Sequence, residues 1–307
     1  MTQPILITGA AGGQQGATGR LVATHLLKQG IPVRALVRAV DARADQLHAE
    51  GAEIFVGDLL NPASVHEAMK DIRRAYFTYP VADGLMEAAT IFAAMARNHK
   101  LELVVNNSQF QDTPEDSFFR DLLGAPTRRN LQHRLTDRVF DWAEVGAVHI
   151  QAPPYYENVR ALVSRTVSEK DTVLLPWGDG DATFPLAGGE DVARVAATLL
   201  ASTSLPSQKV YPLVSEALTV HQIVEALSKV LGRSLKYVPI TDEHWAEAAR
   251  ERINGHAVDH LSHLWRYFRT REHQARHTDV IREVTGRSPQ TLEEFFRANA
   301  KSFGTTP

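Results

Sequence analysis

No cysteine occurs among the 307 residues. That excludes a disulfide framework, an iron–sulfur cluster, cysteine-ligated zinc, a thiolate nucleophile and any thiol redox switch. An excess of one charge is missing too: 33 Lys+Arg stand against 36 Asp+Glu, a formal net charge of −3. Such a balance supplies no global attraction to nucleic acid or anionic lipid. No run approaches the roughly 18 apolar residues a membrane span needs, and no Lys or Arg precedes the first apolar run in MTQPILITGAAGG. Neither nucleic acid nor membrane is an expected partner, and the reading is of a soluble, cytoplasmic protein. The length suffices for one large or two ordinary domains.

What the chain does have is alternation. Pro4–Thr8, Pro32–Val37, Glu53–Val56, Ala75–Thr78, Leu101–Val105 and Ala147–Ile150 have strand length and little polar face, as strands buried on both sides do. Between them Arg20–Gln29, Asp41–Glu50, Pro62–Lys70, Leu85–Asn98 and Thr127–Ala143 carry apolar residues at helical spacing. The alternation predicts an α/β fold, a doubly wound parallel sheet with helices on both faces. This domain is assigned to residues 1–152, with a returning portion near 190–215. Residues 153–307 are expected to form a smaller, mostly helical lobe on the substrate side. Its elements are a helix Glu157–Val167, a turn-rich Pro176–Gly189, a helix Asp191–Ala201 and a strand Val210–Val214 that rejoins the sheet. Helices and one short strand, Leu235–Val238, follow to the end.

The most informative segment is ILITGAAGGQQGATGRLVATHLL, residues 5–27. A buried strand runs into glycines 9, 12, 13, 16 and 19 and then into an amphipathic helix. Glycine permits a tight turn, close approach of amides to a pyrophosphate, and close packing of helix on strand, while the helix N-terminus favours an anion. Gly9, Gly12, Gly13, Gly16, Ala17, Thr18 and Gly19 are therefore candidate cofactor residues. Two registers remain open, one beginning at Gly9–Gly12 and one reading Gly13–Gly16–Gly19, because the loop is about four residues longer than the compact motif.

The end of the second strand chooses between cofactors, an acidic side chain favouring NAD(H) and an arginine the 2′-phosphate of NADP(H). Arg38 stands there, with Arg34 on the strand and the nearest carboxylate, Asp41, later, so NADP(H) is preferred over NAD(H). Asp58 and Leu59, after the third strand, are placed to meet the adenine. The alternative for Asp58 is an N-cap of the following turn. Tyr79–Pro80 and Pro154–Tyr155 follow later strands and should flank the nicotinamide.

With these segments in hand, the chain resembles the NmrA-like group of atypical short-chain dehydrogenases/reductases. The resemblance runs through ILITGA, VRALVR, VGDLLNPASVHEAM, HRLTDRVFDWA, APPYYENV, GEDVARVAATLL and VTGRSPQTLEEFFRANAKSF. It implies a Rossmann-type domain, a nicotinamide dinucleotide in the glycine turn and a smaller helical lobe over the nicotinamide. Relatives in this group include reductases of quinones and of azo or triphenylmethane dyes, and proteins that only sense the NADP(H) ratio. Two departures stand out. The glycine loop exceeds the group's usual TGATGxxGR, and Gln151 stands where many relatives have arginine.

The Tyr-x-x-x-Lys motif of conventional short-chain dehydrogenases is absent: no tyrosine lies between Tyr79 and Tyr155, and the helix that should carry the motif has no lysine. That helix offers His133, whose ordinary pKa suits acid/base work, and Asp137 one turn on, placed to orient the imidazole. A surface His–Asp pair is the alternative. Ser108, after the fifth strand, is the candidate substrate-orienting serine, or else a strand terminator. Phe110, Phe118, Phe119 and Trp177 are candidate aromatic walls, with packing between lobes as the alternative.

His256, His260 and His263 share one helical face, but no HExxH occurs, and a histidine facing the pocket is preferred over a metal site. The basic-aromatic run Trp265–Arg269 is read as core and solvated face rather than a nucleic-acid surface. The expected function is NAD(P)H-dependent hydride transfer to a small aromatic or quinonoid electrophile. The alternative is a catalytically silent NADP(H) sensor that binds a protein partner. A homodimer is compatible with either.

Overall fold

Twenty-three helices and strands follow in the order β1 (Ile5–Ile7), α1 (Thr18–Lys28), β2 (Val33–Val37), α2 (Ala42–Ala49), β3 (Glu53–Val56), α3 (Pro62–Ala68), β4 (Arg74–Phe77), α4 (Leu85–Asn98), β5 (Leu103–Gln109), α5 (Gln132–Ala143), β6 (Ala147–Ala152), α6 (Tyr156–Lys170), β7 (Thr172–Leu175), β8 (Thr183–Leu186), α7 (Gly189–Ala201), β9 (Val210–Pro212), β10 (Glu216–Thr219), α8 (Val220–Leu231), β11 (Lys236–Pro239), α9 (Asp242–Arg250), α10 (Gly255–Arg269), α11 (Val280–Thr285) and α12 (Leu292–Ala298). The computed structural model describes residues 3–12, 17–110, 131–269 and 276–304, and the count is of those residues.

Seven strands form one parallel sheet in the order β3-β2-β1-β4-β5-β6-β9. The order reverses between β1 and β4, the switch point of a Rossmann-type fold. Successive strand residues point to opposite faces, and the core divides accordingly. Ile5 and Ile7 pack with Val22 and Leu26 of α1 and Val192 and Val195 of α7. Leu6 packs with Val65 of α3 and Phe92 of α4. Phe77, Phe92 and Phe140 close that second face as a ring cluster with centroids 5.0–6.1 Å apart. Later in the chain, α7 joins the first core, and β9 pairs with β6 from His149↔Val210 onward.

A third core gathers α6, β7, β8 and the later helices around Trp177, Phe184 and Trp265, with Trp177 stacked on Phe184 at 4.3 Å. Trp177 is thus a packing residue. Ile281 of α11 packs with the first core instead. Two small sheets support this region, β8 antiparallel to β10 and β7 parallel to β11. Neither β7 nor β8 was expected. The first is four residues long, and the second contains Pro185, which lacks a ladder donor and is tolerated here because its sheet has only two strands. No helix among the described residues is long and apolar enough to cross a membrane.

The other departure matters for the site. The sequence reading ended the fifth strand at Val105, whereas β5 continues through Asn106, Asn107 and Ser108 to Gln109, each paired with β6. Polar residues persist in the strand because their side chains find buried partners.

Candidate functional site

The C-terminal ends of β1, β4 and β5 meet around the switch point, where an open parallel sheet offers its crevice to a ligand. Thr8 pins the first two ends together: its hydroxyl donates to Thr78 O at 2.9 Å and accepts from Thr78 N at 2.8 Å. The chain then turns through Gly9 (φ +63°) and Gly12 (φ +76°), with Gly12 N donating to Gly9 O at 3.0 Å. A Cβ on Gly19, in the first turn of α1, would lie 2.4 Å from Thr8 O and 2.7 Å from Gly9 O. The helix therefore starts directly against the strand end. Left-handed Ala17 precedes α1, and no side chain caps it, so its first N–H groups stay open to an anion, as a pyrophosphate requires. Of the two registers, the described part uses Gly9 and Gly12 for the turn and Gly19 for the helix contact. Gly13 and Gly16 lie outside the described residues, as do Phe118 and Phe119.

At the end of β2, Arg38 is exposed. Arg34 is occupied elsewhere, bonding Glu53 and the carbonyls of Ala68 and Lys70. Asp41 caps α2, accepting from the N–H groups of Arg43 and Ala44, and also holds the Arg43 guanidinium. Arg43 in turn donates to Gly12 O at 3.2 Å. The sequence reading passed over this second arginine beside the turn, although its position two residues after a capping Asp marked it. Asp58 is exposed and accepts from Leu60 N at 2.9 Å, the capping alternative, with half-buried Leu59 between them. Burial and the Asp58 charge raise the pKa of Tyr79 while Arg38 opposes them, which puts all three in one electrostatic neighbourhood. Exposed Pro80 follows.

At the ends of β4 and β5, Asn107 is a hub that the sequence reading missed. Its Nδ2 donates to Tyr155 Oη at 3.1 Å and reaches the hydroxyls of Thr18 and Thr78 at 3.4 Å. Thr18 also accepts from Tyr76 at 2.9 Å. Burial pushes the Tyr155 phenol up to about 12, against its bond with Asn107, so it stays neutral. Pro154 O accepts from Ala187 N at 3.3 Å, tying this segment to the later region.

Asn106 and Ser108 point to the opposite face, toward α5. Ser108 Oγ donates to Asp137 Oδ2 at 2.9 Å, and Asn106 Nδ2 donates to Asp137 Oδ1 at 2.8 Å. His149 lies behind them, its Nδ1 3.1 Å from Asn106 Nδ2 and its Nε2 3.3 Å from Asp141 Oδ1. Burial pushes the Asp137 carboxyl up to about 6, against the pull of His149 and the Ser108 bond.

The expected pairing of Asp137 with His133 is corrected. The carboxylate faces the sheet and is taken by Ser108 and Asn106, while the His133 ring faces α10, 5.7 Å from the ring of His260. Burial, with His256 nearby, holds His133 down at about 4, and burial with His133 as neighbour holds His260 at about 3. At neutral pH both are uncharged, so His133 is suited to donate an N–H bond rather than to act as a cationic acid. Among the described residues no three His, Asp or Glu are arranged to hold a metal ion.

Two family models and several known proteins match the chain. The NAD(P)H-binding family matches residues 13–171 and the NmrA-like family residues 147–296. The NAD(P)H azoreductase of Xenophilus azovorans is 24% identical over 306 residues, covering 98% of this chain and 99% of that protein. Two solved structures share the fold. The triphenylmethane reductase of Citrobacter sp. complexed with NADP(H) superposes with a TM-score of 0.77 at 20% identity, over 96% of this chain and 99% of that one. An NADPH-dependent quinone oxidoreductase of Escherichia coli complexed with NADPH gives 0.78 at 19% identity, with the same coverage.

Proposed function

The chain belongs to the NAD(P)H-binding, NmrA-like family, and from that premise we propose that it is an NADPH-dependent reductase of small flat electrophiles such as quinones and azo compounds. The observation that carries this reading is Ser108, near the C-terminal end of β5 and held by a buried carboxyl. Such a pair offers a proton donor, which reduction uses and mere sensing of the dinucleotide does not require. Azo, triphenylmethane and quinone substrates among its relatives support the acceptor class.

The turn Gly9–Gly12 and the uncapped start of α1 fit a pyrophosphate, because glycine at 9 and 19 lets strand end, turn and helix start meet where a Cβ would clash. Arg38 and Arg43 are assigned to the 2′-phosphate, Asp58 and Leu59 to the adenine edge, and Tyr79, Pro80, Pro154 and Tyr155 to the nicotinamide walls. When bound, the dinucleotide supplies the hydride. Ser108 holds the acceptor oxygen or nitrogen and hands it a proton. When Asp137 is protonated on Oδ2 it donates to Ser108 Oγ and frees the hydroxyl proton to point at the acceptor. Residues 153–307 are taken as the side that shapes the acceptor pocket.

Cofactor preference tests the first half. NADPH should bind more tightly than NADH, and Arg38→Asp should reverse the order, shifting the ratio roughly 10- to 100-fold, since hydrogen bonds to charged groups contribute ~1.5–3 kcal/mol. An unchanged ratio in a fluorescence titration would transfer the role to another residue, with Arg43 the nearest to the turn.

A further inference from the structure

Most polar groups in this fold are spent on one another, but those where α5 meets α10 are not. His260 is 6% exposed, and neither ring nitrogen has a hydrogen-bond partner among the described residues. His133, in the first turn of α5, faces it with ring planes 58° apart and is likewise unbonded among the described residues. The preceding residue, Gln132, keeps a buried Oε1 without a partner. Buried polar groups in native proteins are nearly always paired, so the Gln132 oxygen calls for an explanation such as a missing ligand, and the two imidazoles beside it keep hydrogen-bonding capacity for one.

The neighbouring histidine shows the contrast. His256, one turn earlier on α10, is spent: its Nδ1 lies 3.2 Å from Asp83 Oδ1. Asn254 Nδ2 donates to Val81 O at 3.4 Å. These two contacts fasten α10 to the loop after β4, the loop that begins with Tyr79 and Pro80. His260 therefore hangs inward one turn beyond a fixed anchor, opposite a helix whose next turn carries Asp137. Leu264, Trp265 and Phe268 on the same helix pack into the apolar core and leave it no polar alternative on that side.

We propose that His260 and His133 are the acceptor-binding pair, two adjoining imidazoles, one from α5 and one from α10, that donate N–H bonds side by side to the carbonyl oxygen or azo nitrogen of a flat acceptor. The inference rests on the reductase reading and adds to it the residues that select the acceptor. Burial keeps both rings uncharged, so the pair recognises lone pairs and does not attract carboxylates or sulfonates. A quinone would take one hydride from the bound dinucleotide, which ends oxidised, and one proton on the oxygen near Ser108; where the hydride adds to a ring carbon, loss of a proton there to solvent and gain of one at the second oxygen leave the hydroquinone. The histidines form no covalent bond and end in the protonation state in which they began. They also supply an acceptor nitrogen for the hydroxyl that the product carries.

The test uses the full chain and 1,4-naphthoquinone. His260→Leu and His133→Leu should each raise KM for the quinone at least tenfold and weaken its calorimetric affinity for the NADP⁺-loaded protein by a similar factor. NADPH affinity should stay within twofold. His260→Gln, which keeps an N–H donor, should recover most of the loss, a rescue that mere packing would not show. Unchanged KM and quinone affinity in both leucine variants, or in His133→Leu and His260→Gln should His260→Leu fail to fold, would overturn the proposal. A wild-type protein that binds naphthoquinone through these histidines yet oxidises no NADPH would support the pair and overturn the reductase reading instead.

Discussion

Gly19→Ala is expected to weaken NADPH binding by roughly 100-fold, about 2.7 kcal/mol, and to lower stability by ~1–3 kcal/mol, the usual cost of overpacking a tight contact. The added methyl would sit 2.4 Å from Thr8 O and 2.7 Å from both the carbonyl carbon and oxygen of Gly9. None of these atoms is the free end of a side chain, so α1 must move away from the strand. That movement carries off the N–H groups that the pyrophosphate needs. Gly146→Ala is the control. Gly146 has φ +60°, and its Cβ would lie 2.1 Å from Glu102 O, at the opposite end of the sheet. It should lose comparable stability while the folded fraction binds NADPH normally. Normal NADPH affinity in Gly19→Ala would mean that the turn does not hold the cofactor.

Asp137→Leu should lower kcat by about 10²–10⁴, the range for losing a positioned proton-transfer group, with NADPH affinity unchanged. Ser108, Asn106 and His149 all lose a buried partner through this one substitution, so the variant also loses stability, and Asp137→Asn is the better vehicle for the pH dependence. The folded-state carboxyl sits at about 6 against an ordinary 3.8, raised by burial. Protons therefore bind the folded protein more tightly than the unfolded chain between those values. The stabilisation is fully present below about 3.8 and lost as pH rises through about 6. Relative to Asp137→Asn, the wild type should gain on the order of 1 kcal/mol between pH 7 and pH 5 in urea titrations. Its kcat should fall as pH rises through about 6, because the protonated carboxyl backs the Ser108 hydroxyl. A flat profile in the wild type, or the same profile in Asp137→Asn, removes Asp137 from the proton path.

Much of this was legible in the sequence. The sheet strands are short apolar runs buried on both faces, and their pattern survives because nothing polar must be accommodated. The glycines could be read for the same reason: a Cβ there is physically excluded, so residue type reports geometry directly. The missed strands β7 and β8 lie where the pattern is weakest, four residues each, one with an internal proline. The site was harder to read because its polar residues acquire meaning only through partners distant in sequence. Asp137 is four positions from His133, the spacing of neighbours on a helix face, yet its carboxylate turns to Asn106 and Ser108 on β5. Asn107 looked like loop composition and is a hub because β5 runs four residues past its apolar stretch. His260 was visible as a member of a histidine face, but that its nitrogens are unspent is a property of packing alone.

With neither cysteine nor a Tyr-x-x-x-Lys motif in the sequence, the proposed reaction rests on a bound reductant and on Ser108, Asp137 and two uncharged histidines. The most direct measurement is rapid mixing of the NADPH-loaded protein with 1,4-naphthoquinone, an azo dye and a triphenylmethane dye, following the reduced-nicotinamide absorbance. The account expects that absorbance to vanish in step with reduction of at least one acceptor, one equivalent per bound cofactor. Tight NADPH binding with undiminished absorbance across the whole panel would contradict it and make the protein a holder of the dinucleotide rather than its consumer.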